Sequence, residues 1–391
     1  MKRKILILFS GNINSRRGLF NAVINRTQYL KKTCDYDIEV LLMSSYEPWF
    51  VRFLRHTQRY EKQSSIEIEG LKIMIDWQPF SLLDYFLNMK MHKSSVVSKL
   101  HNKKLAYSLK GYDMIIAHSL ECGLVAKRVK KLYGTPYTVT WHGSDIHTYP
   151  FENISMRRLT IKVIEDSDMN LFVSKTLMKT SQEITTRGNK KVLYNGYNPL
   201  FKIYSDEERL ALRKKYGVVN KKVVVFAGNF LAVKNILTIP HIFKSIYRKY
   251  NNVEFWMVGD GKFRPQVELL TKDYPVRLWG NQEPETMPKI FNASDVLILP
   301  SINEGLPLTV VEGLASGCNV VGSYVGGIPE VIGEDNCVSL KEPQFVEIFA
   351  NKVVAYLKAK SHIEQTLDDN FDWIKTAYNE LQIIKNILHE N

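Results

Sequence analysis

Short runs of aliphatic and β-branched residues recur along the chain, separated by stretches whose apolar positions repeat at helical spacing. The first series is Ile5–Phe9, Ile38–Met43, Leu71–Ile75, Met114–His118, Tyr137–His142, Asn170–Ser174 and Val192–Asn195. A second series follows Pro199: Val223–Gly228, Glu254–Gly259, Val276–Gly280, Val296–Pro300, Val320–Ser323 and Cys337–Leu340. The alternation of such runs with helical segments predicts parallel sheets covered by helices on both faces. The expected fold is therefore α/β, with two successive doubly wound, Rossmann-like units. Asn195-Gly196-Tyr197-Asn198-Pro199 supplies turn chemistry between them, ahead of a polar helix from Asp206. This sets domains at 1–200 and 201–370, with a last helical segment at 371–391 that begins at Phe371-Asp372-Trp373. Open α/β sheets bind ligands beyond the carboxyl ends of their strands, so a cleft at those ends is the expected site.

Composition changes this picture in two ways. The 391 residues are 45% hydrophobic, enough for two cores, and the net charge of +13 is unevenly shared. Residues 1–200 hold 31 Lys and Arg against 17 Asp and Glu, whereas residues 201–391 hold 22 against 23. A basic half beside a neutral half implies an anionic partner for the first domain, whether polyanion, membrane surface or acidic acceptor. The four cysteines, Cys34, Cys122, Cys318 and Cys337, form no C-x-x-C pair and lie near no histidine at zinc spacing, which fits a reducing, cytoplasmic setting. The apolar run after Met1-Lys2-Arg3-Lys4 is too short for a secretory signal or a membrane span, so a soluble or peripheral protein is expected. Residues 79–100 mix aromatics with Lys90, Lys93 and Lys99; they read either as an amphipathic surface helix or as an ordinary helix packed on the first sheet.

The densest chemistry lies in Glu304-Gly-Leu-Pro-Leu-Thr-Val-Val-Glu312, which follows the run Asp295–Pro300 and leads into Leu314-Ala-Ser-Gly317. That order reads as strand, tight loop and helix. Pro307 suits a first helical turn, and Gly317 suits a left-handed cap about ten residues later. The Gly305-Leu306-Pro307 segment would then present amides at a positive helix end, which binds a diphosphate without a metal. Glu312, five residues beyond Pro307, lies roughly 7.5 Å up the helix, within reach of a ribose.

With Gly326-Gly327-Ile-Pro329-Glu330 downstream and Phe371-x-Trp373 opening the last helix, these residues resemble the retaining glycosyltransferases of family 4, which have the two-Rossmann-domain GT-B fold. The resemblance covers nearly the whole chain and implies that the last helix crosses back to the first domain. It implies that Glu312 holds the donor ribose and that Glu304 contacts the transferred sugar, where its charge can stabilise an oxocarbenium-like transition state. Lys234 matches the lysine that neutralises the leaving diphosphate. Asn229 stands where an arginine commonly precedes that lysine, exchanging a charged fork for a neutral donor. His142, in His142-Gly143-Ser144-Asp145, matches a histidine beside the donor sugar. Gly11, in the loop after the first run, takes the place of a glycine loop near the diphosphate, although the usual adjacent glycine pair is absent. Arg16 and Arg17 in that loop are either acceptor ligands or solvated charges. Gly259-Asp260-Gly261 matches a turn lining the donor pocket, and Leu278-Trp279-Gly280 falls near the base; Gly-Asp-Gly is also a plain turn signal.

The expected activity is transfer of a sugar, with retention, from a nucleotide diphosphate donor, a UDP-sugar first, to a glycan or lipid-linked acceptor in bacterial surface polysaccharide assembly. No cofactor beyond the donor, no metal and no nucleic acid is expected, and a peripheral contact with the anionic inner-membrane surface is. The rivals are another enzyme on the same fold, such as a nucleotide-sugar epimerase or a phosphorylase, and a non-catalytic protein binding polyanions or membranes.

Overall fold

The computed structural model describes residues 2–13, 18–46, 62–79, 96–359 and 361–390. Arg16, Arg17 and most of the 79–100 segment, including Lys90 and Lys93, lie outside them. The chain divides into one unit of Met1–Tyr194 with Trp373–Asn391, and a second of Asn195–Asp372.

The first unit is built on an eight-stranded sheet. Its strands are β1 (Lys4–Ser10), β2 (Asp37–Ser45), β3 (Ser65–Ile68), β4 (Leu71–Gln78), β5 (Met114–His118), β6 (Tyr137–Trp141), β7 (Met169–Phe172) and β8 (Lys190–Val192), in the order β3-β4-β2-β1-β5-β6-β7-β8. Every pair is parallel except β3 with β4. The central strands β5 and β6 are buried at every position, which is why their sequences run apolar without alternation. Strand β3 is the element that the pattern reading omits. Ser65-Ile-Glu-Ile68 and Leu71-Lys-Ile73 alternate across Glu69-Gly70, both at positive φ (49° and 75°), as a two-residue hairpin of that twist requires.

The helix Trp373–Leu388 packs on the helix Leu19–Thr33 within this first unit. Leu381 and Ile384 enter the same core as Ile5, Ile7, Phe20 and Val23, and Ile383 joins Leu171 and Leu193. Beneath them Glu380 accepts two hydrogen bonds from Arg26, from Nε at 2.6 Å and from Nη2 at 2.8 Å, with both side chains 2% exposed. The last sixteen-residue helix thus completes the first core, and it is fixed there by a buried ion pair between residues 354 positions apart.

The second unit has six parallel strands: β9 (Lys222–Ala227), β10 (Val253–Val258), β11 (Val276–Gly280), β12 (Val296–Leu299), β13 (Asn319–Ser323) and β14 (Cys337–Val338), in the order β11-β10-β9-β12-β13-β14. The polar helix Asp206–Tyr216 starts with a Ser205/Glu208 capping box and ends at Gly217 in the left-handed region. Arg209 and Arg213 on it reach Asp295 at the foot of β12, at 3.0 and 3.1 Å. Burial opposes the Asp295 charge, but these guanidiniums and the Val223 amide hold its carboxyl below the usual range. Among the described residues, no helix is long and apolar enough to cross a membrane.

Candidate active site

In the second unit, the candidate residues gather where β9, β10 and β12 end. After β9 the chain makes a short turn at Ala232–Lys234, and the Ile302 amide donates to the Val233 carbonyl at 2.8 Å. That bond pins the turn to the loop after β12, so Lys234 and Glu304 meet although they are 70 positions apart: Nζ lies 2.6 Å from Oε1. Ser301 donates to the same carboxylate oxygen at 2.7 Å. Glu304 Oε1 therefore accepts from two donors, Lys234 and Ser301. Pro307 caps the helix Leu308–Ala315 from the extended region, one residue earlier than a first-turn proline, and Gly317 closes it at φ 82°. The Gly305-Leu306 segment leads into the positive end of that helix. Glu312 is half-buried on the helix, and burial, which disfavours the charged form, pushes its carboxyl up to about 7.

Close backbone approach explains the glycines here. Gly327 donates to the Gly305 carbonyl at 2.8 Å, and Gly326 sits at φ 53°, where a Cβ would stand 2.0 Å from the Glu304 carbonyl oxygen. The Gly-Gly-Ile-Pro-Glu segment is thus a seat for the Glu304 loop. On the other side, the turns after β9 and β10 are pressed together: Gly228 donates to Val258, and Phe230 to Asp260, each at 2.9 Å. A Cβ at Gly259 would meet the Gly228 carbonyl at 2.0 Å, and one at Gly261 the Phe230 carbonyl at 2.6 Å. Asn229 lies between those contacts. Gly259 also donates to Gly280, which ends β11 at φ 66°. Trp279 packs edge-on against Tyr216 and Trp256, so its ring serves the unit's own aromatic cluster.

In the first unit, His142 follows β6, and its Nε2 lies 3.0 Å from Nδ1 of His118, the last residue of β5. Burial and the Arg26 charge push His142 down to about 3; burial, His142 and Arg26 push His118 well below its usual value. Both rings are neutral at physiological pH. Asp145 is buried nearby in sequence, accepts from the Gly143 amide at 3.4 Å and is raised to about 6 by burial. Gly11 donates to the Met43 carbonyl at 3.2 Å, and a Cβ there would make only an ordinary 3.8 Å contact with Leu42. Among the described residues nothing demands glycine at position 11 on steric grounds, unlike at Gly259 or Gly326.

His118 and Ser301 escape a reading of local motifs. The signal for His118 was present in the strand pattern, since two neighbouring parallel strands each run into a histidine.

Residues 221–359 match the model of the family described as glycosyl transferases group 1. The second unit carries a group 1 glycosyl transferase domain. The chain is 24% identical over 393 residues to a Bacillus subtilis protein named as a teichuronic acid biosynthesis glycosyltransferase, TuaC, an alignment that covers 99% of this chain and 96% of that one. It is 28% identical over 234 residues to the uncharacterized glycosyltransferase MJ1607 of Methanocaldococcus jannaschii, covering 56% of this chain and 60% of the relative. In structure it is similar to Anabaena Alr3699/HepE, solved with UDP and glucose, at a TM-score of 0.72 and 17% identity over 97% of this chain and 99% of the other. The fold is GT-B, with two parallel-sheet Rossmann-like units. The Lys234, Glu304 and Glu312 positions all fall inside the glycosyl transferase domain, whereas Gly11 and His142 precede it.

Proposed function

We propose that the chain transfers a sugar from a nucleoside diphosphate donor, a UDP-sugar before others, to a hydroxyl of a glycan or lipid-linked acceptor in the assembly of a bacterial surface polysaccharide, with retention of anomeric configuration. The observation that carries this reading is the Lys234–Glu304 pair at 2.6 Å beside a helix amino terminus, within a group 1 glycosyl transferase domain. A diphosphate seated at that helix end takes its charge compensation from the amides and from Lys234. Lys234 then exchanges one anion for another, leaving Glu304 to face the sugar, where its charge stabilises a developing oxocarbenium ion. Glu312 accepts the two ribose hydroxyls. Asn229 contributes a neutral hydrogen bond where the resemblance expects a cation, so the helix end and Lys234 carry more of the leaving-group charge. With no nucleophile assigned, the departing diphosphate receives the proton of the incoming hydroxyl on the same face, and positioning dominates. No cofactor besides the donor enters this scheme.

Support for UDP comes from the UDP complex of the Anabaena protein, and support for the pathway from the name of the Bacillus subtilis relative. The basic first half fits an anionic acceptor at the cytoplasmic face of a membrane. Lys99, Leu100, Lys103, Lys104 and Tyr107 are exposed on the helix Val96–Ser108, while Leu105 and Ala106 are buried. Flotation with and without anionic vesicles tests that contact. Retention is read from the anomeric proton coupling of the product.

The donor assignment is tested by calorimetry of UDP-, GDP- and ADP-glucose on the wild type and on Glu312→Ala, without added metal. Selective binding by the wild type and weakening by about 10-fold or more in the variant are expected, because a charged hydrogen bond contributes about 1.5–3 kcal/mol. Equal affinity of the two proteins would remove Glu312 from the ribose.

A further inference from the structure

The first unit contains a polar pair that the donor scheme does not use. His118 ends β5 and is 1% exposed; His142 follows the neighbouring β6 and is partly exposed. Strand pairing fixes the His118 backbone, opposite Phe9 on one side and Thr140 on the other, and His142 directly follows the last paired residue of β6, Trp141. The rings lie 5.3 Å apart between centroids, tilted by 32°, and Nδ1 of His118 is 3.0 Å from Nε2 of His142. The backbone beside the pair is strained: Ser119 holds φ 93°, anchored by its amide to the Thr140 carbonyl at 3.1 Å and by its hydroxyl to Ser10 at 3.1 Å. A non-glycine residue in that region persists only where its surroundings over-determine it, and such positions cluster at functional sites.

Two facing ring nitrogens can share only one proton. If His142 donated it, His118 would carry its own N–H on Nε2, in the more buried ring. If His118 donates it, the N–H left over is Nδ1 of His142, in the ring that a ligand can reach. A buried N–H without an acceptor is rarer and costlier than an unused lone pair, which favours the second arrangement. We propose that His118 is a positioning residue that donates Nδ1–H to Nε2 of His142 and so holds His142 in the tautomer that offers Nδ1–H to a hydroxyl of the donor sugar. The last step rests on the donor-site reading above; the tautomer does not.

The test is nitrogen NMR of the full chain with labelled histidine at pH 7, with the His142 signals assigned by their loss in His142→Gln. The wild type should show His142 protonated on Nδ1. His118→Phe should mix the two tautomers, and His118→Asn, whose amide can donate from the place of Nδ1, should restore the single form. Hydrolysis of UDP-glucose in the absence of acceptor should lose about 10-fold in kcat in His118→Phe with KM within about 2-fold, and recover in His118→Asn. An Nε2-protonated His142 in the wild type overturns the proposal even if neither His118 variant folds, and so does a tautomer unchanged in His118→Phe. A wild type with the expected tautomer, whose His142 signals ignore saturating UDP-glucose, would uphold the hydrogen bond and overturn the donor-site reading.

Discussion

The carboxyl ends of the two sheets solve the problem of holding polar groups in different ways. In the second unit the loops after β9, β10, β12 and β13 are locked to one another by backbone contacts so close that Gly259, Gly261 and Gly326 admit no Cβ. In the first unit the corresponding ends carry side chains locked to side chains: His118 to His142, and below them Arg26 to Glu380. The difference teaches where sequence can be read. A backbone-to-backbone fit leaves a glycine in the sequence as its mark, even where the partners stand well apart, as Gly326 and Glu304 do. A side-chain pair needs only two compatible residues, and they stand 24 and 354 positions apart.

The largest effect should come from the longer of those pairs. Glu380→Ala leaves the Arg26 guanidinium buried without its carboxylate, which should cost about 3–5 kcal/mol in denaturant unfolding of the first unit. The double variant Arg26→Met/Glu380→Leu, which removes both charges and keeps the volume apolar, should recover most of that loss. If the double variant is no more stable than the single one, the pair is a packing element and the contrast between the two units weakens.

A smaller effect separates the glycines. Gly326→Ala adds a Cβ 2.0 Å from the Glu304 carbonyl at a φ of 53°, so the Glu304 loop must move; a cost of about 1–3 kcal/mol and loss of UDP-glucose binding are expected. Gly11→Ala, whose Cβ would make an ordinary 3.8 Å contact with Leu42 among the described residues, should stay within about 0.5 kcal/mol of the wild type. Thermal unfolding and calorimetry on the two variants check both. Equal penalties would mean that Gly11 also answers a close approach, one made by a ligand.

This contrast also explains how much was legible beforehand. The strands of both sheets follow from apolar runs because parallel strands are buried on both faces, and each predicted run contains or overlaps an observed strand. Strand β3 was missed because an antiparallel edge strand alternates, and its Ser65-Ile-Glu-Ile68 is half polar. The Glu304 loop, its helix and the Gly326 seat were readable together because all lie within 27 residues. The pairing of Lys234 with Glu304 was not, since it depends on the Ile302–Val233 bond between segments far apart in sequence. His118 was hidden for the same reason. It looks like the end of an apolar strand until β5 and β6 are set side by side.

The smallest predicted effect uses pH to set the two sites against each other. Burial lowers both histidines, His142 to about 3, so neither changes charge between pH 6 and 8. The same physics raises Glu312 to about 7, and its carboxylate is progressively lost as pH falls through that value. Binding that needs the Glu312 carboxylate should therefore be strongest above pH 7. It should weaken by about 10-fold between pH 8 and pH 6, the ratio of ionised fractions one unit either side of the midpoint. The nucleotide-sugar diphosphate keeps its charge throughout, so the slope belongs to the protein. Calorimetry of UDP-glucose across this range on the wild type and on Glu312→Gln checks it. The variant should bind weakly at every pH with a flat profile. A slope that survives in Glu312→Gln would assign the titration to another group, and the first candidate would be Asp145, which burial raises to about 6 beside the His142 turn.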